Sequence, residues 1–476
     1  MNQLTHRFEY DMLGERKVPY AAYYGVQTLR ATESLQATGA PLSSFPSFVT
    51  ALATVKQAAA EANADIGLLS SARRDAIVVA CTEIRDGRLH GHFVVDVVQG
   101  GAGFATNANA NEVICNRALE LMGHERGEYS HLHPNKHVDL SQSSSGVHSI
   151  ALRIAAAFAA KELEEAMDGL AAAFLSKSLE FARVVKLGRD ALQDETPITL
   201  GQEFETFRAT LKSDRDHLLE TCHQLRHILF DPTLFPAETE DATKFIAKAT
   251  DTMNRVTGLN LKASTDTVGG RQDCGALVLV SGVLKHIAIR LSKISNDLRL
   301  LSSGPRSGFG EINLPPTQSA LAITPGKIYP AVPEFANQVA FEVIGNDVTI
   351  SLAAEAGQLQ TNAFEPAITK AILRSFSSLT AACNALSAKC IKGITANPDR
   401  LLQSIEQSTA LAAMLVPYLG FKVSADVASE AHIGNLSVRE IILKRALMTE
   451  EAFDELLKFD RVVEMTIASQ KARGAE

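Results

Sequence analysis

The chain has 476 residues, of which 46% are hydrophobic and 21% charged, an ordinary composition for a globular protein. Its formal net charge of -8 argues against a nucleic-acid or anionic-membrane partner, since both favour basic surfaces. The N-terminal residues lack the apolar core of a signal peptide, and no uninterrupted apolar run reaches the roughly 18 residues of a membrane span. The six cysteines show no CxxC spacing, which predicts reduced core residues of a cytoplasmic protein.

Long helices dominate the predicted secondary structure. The first runs from about residue 147 to 184, is rich in alanine and leucine, and contains no proline. A second is predicted at 277–301, where apolar residues step alternately three and four positions apart, as in a helix packed along other helices. A third runs from about 337 to 363, and Pro366 should interrupt it. Helices of this length predict an all-α fold, an elongated helical bundle.

Proline is concentrated between the second and third of these helices. Six of the sixteen prolines lie between residues 305 and 333, together with several glycines, which predicts an ordered or lid-like loop over 303–335. After about residue 397 the predicted helices become shorter and the tail is polar. The sequence therefore predicts three domains: a mixed helical domain at 1–146, a long-helix bundle at 147–396 that contains the loop, and a small helical domain at 397–476.

Motifs for metals and nucleotides are weak. The histidines His131, His133 and His137, and the pair His90 and His92, have spacings that could suit a metal, but a structural or surface role is favoured for both groups. The stretch GGAGFATN lacks the preceding strand and the third glycine of a dinucleotide site. We therefore expect no metal and no cofactor.

A Pro-Gly turn in the proline-rich loop carries a lysine. In SALAITPGKIYP, Lys327 directly follows this turn, and binding of an anion is favoured over an exposed loop lysine. Tyr329 lies two residues further on and could act as a replacement acid or base. Because a phenol is a weak acid, simple filling of a pocket is the favoured role for Tyr329.

Several blocks, in order along nearly the whole chain, resemble the aspartase/fumarase superfamily. They include RFEYDMLGERKVPYAAYYGVQTLRATES, GRDALQDETPITLGQEF, TNANANEVICNRALELMGHERGEYSHLHPNKHVDLSQSSSG and SVREIILKRALMTEEAFDELL. The similarity is greatest to the aspartate ammonia-lyases. The resemblance implies a homotetramer with a central twenty-helix core, in which loops of three subunits form each active site. It also implies a carbon–nitrogen lyase, which eliminates ammonia from an aspartate-like substrate to give fumarate.

The resemblance also shows what the proline-rich loop does in that family. A serine in a Gly-Ser-Ser-x-Met-Pro-x-Lys-x-Asn loop removes a proton next to a carboxylate, and loop donors stabilise the resulting anion. When the sequences are aligned on Lys327, which matches the carboxylate-binding lysine, the base serine falls at Leu321 and the asparagine at Tyr329. Leucine cannot carry a proton, and losing a positioned base typically costs about 10²–10⁴-fold in rate.

Other positions of the implied substrate site are altered as well. Phe104 replaces a hydroxyl residue, whereas Asn107 is retained. Asp190 replaces a ligand-binding threonine, and Ala191 replaces the histidine or glutamine that follows it. The resemblance also implies three substrate-binding serines. Ser143 is retained, Ser144 is a conservative change from threonine, and Ser145 replaces an asparagine. The replacements outside this serine run remove polar groups and add one negative charge where a carboxylate is expected.

Three functions fit these observations. The first is a working aspartate ammonia-lyase in which another group acts as the base. The second is a lyase with an altered substrate, an amino acid or carboxylate, and the coherent changes in the site favour it. The third is a non-catalytic pseudoenzyme that acts as a binding or regulatory protein, or as a subunit mixed with an active homologue. Efficient deamination of aspartate by this chain is doubted because the family's base serine is replaced by Leu321.

Overall fold

A computed structural model describes residues 5–34, 37–230, 239–264, 272–316 and 329–458 of the chain. Two of the predicted site residues, Leu321 and Lys327, lie outside these described residues. The same holds for most of the loop predicted at 303–335, of which 303–316 and 329–335 are described.

The described residues are mainly helical. The first ten helices are α1 Val26–Ser34, α2 Pro46–Asp65, α3 Ser71–Arg85, α4 Phe104–Leu121, α5 Ser144–Glu180, α6 Leu200–Cys222, α7 Glu240–Thr257, α8 Gly275–Leu301, α9 Ala331–Glu355 and α10 Glu365–Lys389. Shorter helices follow them: α11 Pro398–Gln407, α12 Leu411–Met414, α13 Val416–Leu419, α14 Phe421–Gly434, α15 Val438–Lys444 and α16 Glu450–Leu456. The prediction of an all-α fold is confirmed.

Eight short strands form four two-stranded pairs in the described chain. The antiparallel pairs are β1 His6–Asp11 with β2 Gly14–Pro19, β3 Val185–Asp190 with β4 Gln193–Thr199, and β7 Ile312–Asn313 with β8 Thr395–Ala396. The parallel pair is β5 His227–Ile228 with β6 Lys262–Ala263. Two of these pairs are hairpins, and the other two join strands that are far apart in the sequence. Two strands alone cannot bury an apolar core, so the helices supply it.

The apolar stripe predicted on the second long helix is buried. Helix α8 begins two residues before the predicted start and ends where predicted, at Leu301. The eight stripe residues, each at most 5% exposed, are Leu277, Val280, Leu284, Ile287, Leu291, Ile294, Leu298 and Leu301. Helix α8 is also the one described helix that is long and apolar enough to cross a membrane by length and composition, a test that core helices of soluble proteins pass as well. The prediction that no stretch is long enough to span a membrane therefore holds only for runs made entirely of apolar residues.

The third long helix ends earlier than predicted. Helix α9 stops at Glu355, eight residues before the predicted end, and Pro366 is instead the second residue of α10. The Asn362 side chain donates hydrogen bonds to the carbonyls of Ala353 and Ala354, at 3.0 and 3.3 Å, so it caps the end of α9. Proline is well tolerated in the first turn of a helix, where its missing N–H has no partner to lose. The interrupting residue was predicted correctly, but the extent of the helix was wrong.

The chain divides into two compact units. The first consists of Met1–Glu164, Asp216–Ala288 and Phe341–Leu379, and in it α2 packs against α3, α4 and α7. The second consists of Glu165–Arg215, Ile289–Ala340 and Thr380–Glu476. In the second unit the short C-terminal helices share an apolar core with Leu187 of β3. The three-domain division predicted from the sequence stays a prediction.

Candidate active site

The predicted serine run lies at the start of the longest described helix, α5, which has 37 residues. Ser143 precedes the helix, and its Oγ accepts a hydrogen bond from the Gly146 N–H at 3.2 Å, the usual bond of an N-terminal cap. Residues 143–146 are all partly exposed. In the described chain, the N–H groups of Ser144 and Ser145 have no acceptor. The first turn of a helix carries partial positive charge, so this turn can bind an anion.

Asn107 connects helix α4 to this serine run. Its Nδ2 donates to Ser144 Oγ at 3.0 Å and lies 3.1 Å from each carboxylate oxygen of Asp139. The residue is 2% exposed, and its Oδ1 is buried without a hydrogen-bond partner among the described residues. The structure therefore brings together two of the predicted site residues, Asn107 and Ser144, and orients the serine hydroxyl from the protein side.

An ion pair between a buried lysine and a partly exposed aspartate lies behind Asn107. Lys56 Nζ is 2.6 Å from Asp139 Oδ1, and the lysine side chain is completely buried in α2. Burial lowers the pKa of Lys56, and the neighbouring Asp139 carboxylate opposes this shift. A buried charge is tolerated only when it is paired, so each of these residues depends on the other.

Lys56 and Asp139 were not predicted from the sequence. A signal was available, because Lys56 is a lone charge in the apolar and alanine-rich stretch ALATVKQAAA. A charge at a buried position of a helix requires a partner, although the sequence alone cannot identify it.

Phe104 is the first residue of α4, and 56% of it is exposed. The preceding Gly103 has a φ of +86°, and a Cβ added there would lie 2.5 Å from Nδ1 of His148 in α5. Only glycine therefore allows the start of α4 to lie against α5. His148 is fully buried, and burial lowers its pKa to about 4, so the ring is neutral at pH 7. Its Nε2 bonds to Thr369 Oγ1 at 2.9 Å.

Asp190 and Ala191 belong to the second unit, at the tip of the β3–β4 hairpin. Asp190 pairs with Gln193, and both turn residues between them, Ala191 and Leu192, have positive φ, at 48° and 64°. Two successive residues in this region form the kind of turn that usually requires Asn-Gly, because a side chain there is strained. Such strain concentrates at functional sites. Asp190, Ala191 and Leu192 are all exposed, and the binding roles predicted for Asp190 and Ala191 stay predictions.

The remaining predicted residues are only partly located. Tyr329 is 41% exposed and lies two residues before α9, in the second unit. Ser145 stands beside Ser144 in the first turn of α5. Because Leu321 and Lys327 lie outside the described residues, the replacement of the base serine and the anion-binding role of the lysine stay predictions.

Comparison with known proteins identifies the relationship. The chain matches the family described as Lyase over residues 14–345, and the family described as Fumarase C C-terminus over residues 411–464. The chain belongs to the aspartase/fumarase superfamily. Both matches follow the order of the blocks recognised in the sequence, so that recognition is confirmed.

Relatives within the superfamily match along nearly the whole chain. Aspartate ammonia-lyase of Pseudomonas aeruginosa is 45% identical over 454 residues, which cover 95% of this chain and 96% of that protein. Aspartate ammonia-lyase of Escherichia coli strain K12 is 42% identical over 458 residues, covering 96% of each. These relatives support a lyase of the ammonia-lyase type.

Solved structures share the helical bundle. A fumarate lyase:delta crystallin from Brucella melitensis, solved with cobalt bound, has a TM-score of 0.90 and 44% identity, covering 96% of this chain and 99% of that one. Class II fumarase from Schistosoma mansoni has a TM-score of 0.87 and 29% identity, covering 95% and 98%. The superfamily fold is therefore present over almost the full length of this chain.

Proposed function

We propose that this chain is a lyase of the ammonia-lyase type with an altered substrate, an amino acid or carboxylate that binds at the first turn of α5. The observation that carries the proposal is the hydrogen bond from Asn107 to Ser144, supported from behind by the ion pair of the buried Lys56 with Asp139. A buried lysine is costly to maintain, and here its partner Asp139 holds the Asn107 amide that orients one partly exposed hydroxyl at a helix N-terminus. Such an arrangement suits binding of a carboxylate.

The charge near the serine run supports a small anionic group as ligand. Lys56 and Asp139 neutralise each other, so the helix N-terminus and its free N–H groups determine the local electrostatic preference. The related aspartate ammonia-lyases are named after aspartate, which has two carboxylates. We therefore infer that one carboxylate of the substrate is held at this turn.

The changes elsewhere argue for a substrate other than aspartate. Asp190 places a negative charge on an exposed hairpin tip, and the alignment puts it where a ligand-binding threonine is expected. Two unit charges about 4 Å apart repel by roughly 1–4 kcal/mol at effective dielectrics of 80 to 20. At the aligned threonine position Asp190 would therefore disfavour a carboxylate, whereas a neutral or cationic group would be accepted there.

The experiment is a substrate screen with ammonia release as the readout. The purified full-length chain is incubated separately with L-aspartate and with a panel of other L-amino acids, and Ser144→Ala is run in parallel. We expect ammonia from at least one amino acid at a higher rate than from aspartate, and loss of that activity in Ser144→Ala. If L-aspartate is the best substrate and is turned over about once per second or faster, the altered-substrate proposal is contradicted.

The alternative is a non-catalytic pseudoenzyme, and the leucine at the implied base position favours it. It predicts no ammonia from any amino acid, and none restored by Leu321→Ser. Co-purification of this chain with an active homologue would then assign it to a mixed oligomer.

We also propose that the chain forms a homotetramer in the cytoplasm. Along α9, Phe341, Val348 and Leu352 are 63%, 56% and 64% exposed, and their spacing of seven and four residues puts them on one face of the helix. A row of large apolar side chains on a long helix is typical of a surface covered by another subunit. The six cysteines are all unpaired and five of them are buried, which supports a reducing compartment.

A further inference from the structure

The loop that follows α4 gathers three potential metal ligands, His124, Glu128 and His131. One ligand atom from each side chain lies within 4.8 Å of the others. His124 Nδ1 is 3.5 Å from Glu128 Oε2, and the two imidazole rings are stacked with their centroids 3.8 Å apart. We propose that these three side chains bind a divalent transition-metal ion such as Zn²⁺.

The backbone fixes the positions of all three ligands. Gly123 has a φ of +82°, and the His124 N–H donates to the Leu119 carbonyl at 2.9 Å, so His124 is tied to the end of α4. The His131 N–H donates to the Glu128 carbonyl at 3.1 Å, which closes a turn between the other two ligands. Backbone hydrogen bonds therefore hold the ligands within one loop.

Supporting contacts surround the ligands. Glu128 Oε2 accepts a hydrogen bond from the Glu125 N–H at 3.0 Å, which orients the carboxylate. Arg73 Nε donates to the His131 carbonyl at 3.0 Å and holds that end of the loop. Contacts of this kind behind a ligand are what metal sites use to fix its direction.

The side chains have the freedom that coordination requires. The two imidazole planes are nearly parallel, at 10°, whereas a shared ion must lie about 2.0–2.1 Å from each nitrogen and close to the plane of each ring. One ring therefore has to turn about its side-chain torsions when an ion binds. His124 is partly exposed and Glu128 and His131 are exposed, so such a turn displaces no core residue.

The set of ligands selects the class of ion. Two imidazoles and one carboxylate suit Zn²⁺ and similar transition metals, whereas Mg²⁺ and Ca²⁺ prefer sites made only of oxygen. Three protein ligands leave at least one position for water or another group. The sequence grouped His131 with His133 and His137, favoured a structural role for that run and led us to expect no metal. In the structure His131 stacks on His124, whereas the His133 N–H donates to His137 Nδ1 at 2.8 Å.

The proposed site is separate from the candidate active site. Asn107 and Leu121 are fourteen residues apart on α4, which is about 21 Å along the helix axis. An ion bound here would link the end of α4 to the loop beyond it and restrict their motion. Failure of the proposed function would leave this inference unaffected.

The test is titration calorimetry with ZnCl₂ on untagged full-length protein that has been treated with a chelator and dialysed. We expect one Zn²⁺ per chain and no comparable binding of Mg²⁺. His124→Ala and His131→Ala should each weaken Zn²⁺ binding by more than about tenfold, since removing even a supporting partner costs about 10–100-fold. His432→Ala is the matched control, because His432 is exposed and lies in the second unit.

Glu128→Gln provides a further variant that keeps the side-chain shape, and circular dichroism checks that each variant is folded. Absence of Zn²⁺ binding to the unmodified chain would overturn the proposal. So would unchanged affinity in His131→Ala, or loss of binding only in His133→Ala or His137→Ala.

Discussion

Asn107 Nδ2 lies 3.0 Å from Ser144 Oγ and 3.1 Å from both oxygens of Asp139, so one amide group joins a partly exposed serine to the carboxylate that pairs with the buried Lys56. The amide can direct its two N–H groups to these two partners. A hydroxyl held in this way has its lone pair occupied from the protein side and its own hydrogen available for a ligand.

Removing this amide should therefore affect substrate turnover more than stability. In Asn107→Leu, which has a similar shape, Ser144 loses its donor, and we expect kcat for the best amino-acid substrate to fall at least tenfold. The thermal midpoint should fall by only a few degrees. Asn109→Leu is not a suitable control, because Asn109 bonds to the His92 carbonyl. Ser377→Ala is suitable, since Ser377 is exposed on α10. Unchanged kcat in Asn107→Leu would contradict the role of this hydrogen bond.

The ion pair of Lys56 and Asp139 predicts a large difference in the free energy of unfolding between two variants. Asp139→Ala leaves Lys56 buried without a partner and should destabilise the protein by about 3–5 kcal/mol. Lys56→Met in an Asp139→Leu background replaces both charges by apolar groups and should recover much of that loss. Denaturant unfolding measures both. Lys293→Ala breaks an exposed pair with Asp297 and should cost less than about 1 kcal/mol.

Gly103 is predicted to tolerate no side chain. Gly103→Ala puts a Cβ 2.5 Å from His148 Nδ1 at a φ of +86°, and both effects destabilise the start of α4. We expect a loss of about 1–3 kcal/mol, the usual cost of overpacking. Gly100→Ala is the matched control, because nothing lies within 4 Å of its Cβ position. Equal unfolding midpoints for the two variants would show that α4 does not pack on His148 as described.

Stability should decrease between pH 5 and pH 8 because of a buried carboxyl group. Burial raises the pKa of Glu365 from 4.5 to about 7, although a hydrogen bond from Ser149 and the charge of Arg153 oppose the shift. The folded state therefore holds the proton more tightly than the unfolded state. The contribution of this group to stability is full below pH 4.5 and is lost as the pH rises through 7.

The loss amounts to about 1.4 kcal/mol per pH unit for one group between the unfolded pKa of 4.5 and the folded pKa of about 7, and it levels off above the latter. Glu365→Gln stays neutral at every pH, so its unfolding midpoint should vary less between pH 5 and pH 8 than that of the unmodified chain. Burial also raises the pKa of Glu112 to about 7, so this variant should flatten the pH profile only in part. Identical pH profiles for the two proteins would contradict a proton on Glu365.

The exposed face of α9 predicts a change in assembly. Phe341→Glu and Leu352→Glu place charges in the proposed subunit contact and should dissociate the tetramer into smaller species, measured by light scattering after size-exclusion chromatography. Leu68→Glu is the control, since Leu68 is 49% exposed and lies outside this helix. A monomeric unmodified chain would contradict the proposed homotetramer.

Helical periodicity in the sequence predicted the buried face of a long helix correctly. The stripe of α8 was predicted residue by residue, because helix periodicity and apolar side chains specify which face is buried. The family blocks likewise gave the superfamily and its helical fold. The end of α9 was missed, because it depends on a side-chain cap from Asn362, and no periodic signal marks such a cap.

Contacts between residues distant in the sequence are visible only in the folded chain. Lys56 and Asp139 are 83 positions apart, and Asn107 and Ser144 are 37 apart, yet they form one connected group. Nothing in the local sequence around any of these residues selects its partner, since the packing of α2, α4 and α5 determines which side chains meet. From the sequence came the superfamily and its helical fold, whereas the altered residues of the site stay predictions. The folded chain alone determined which charge neutralises Lys56 and which amide orients Ser144, because a buried polar group has to find its partner within the space that packing leaves.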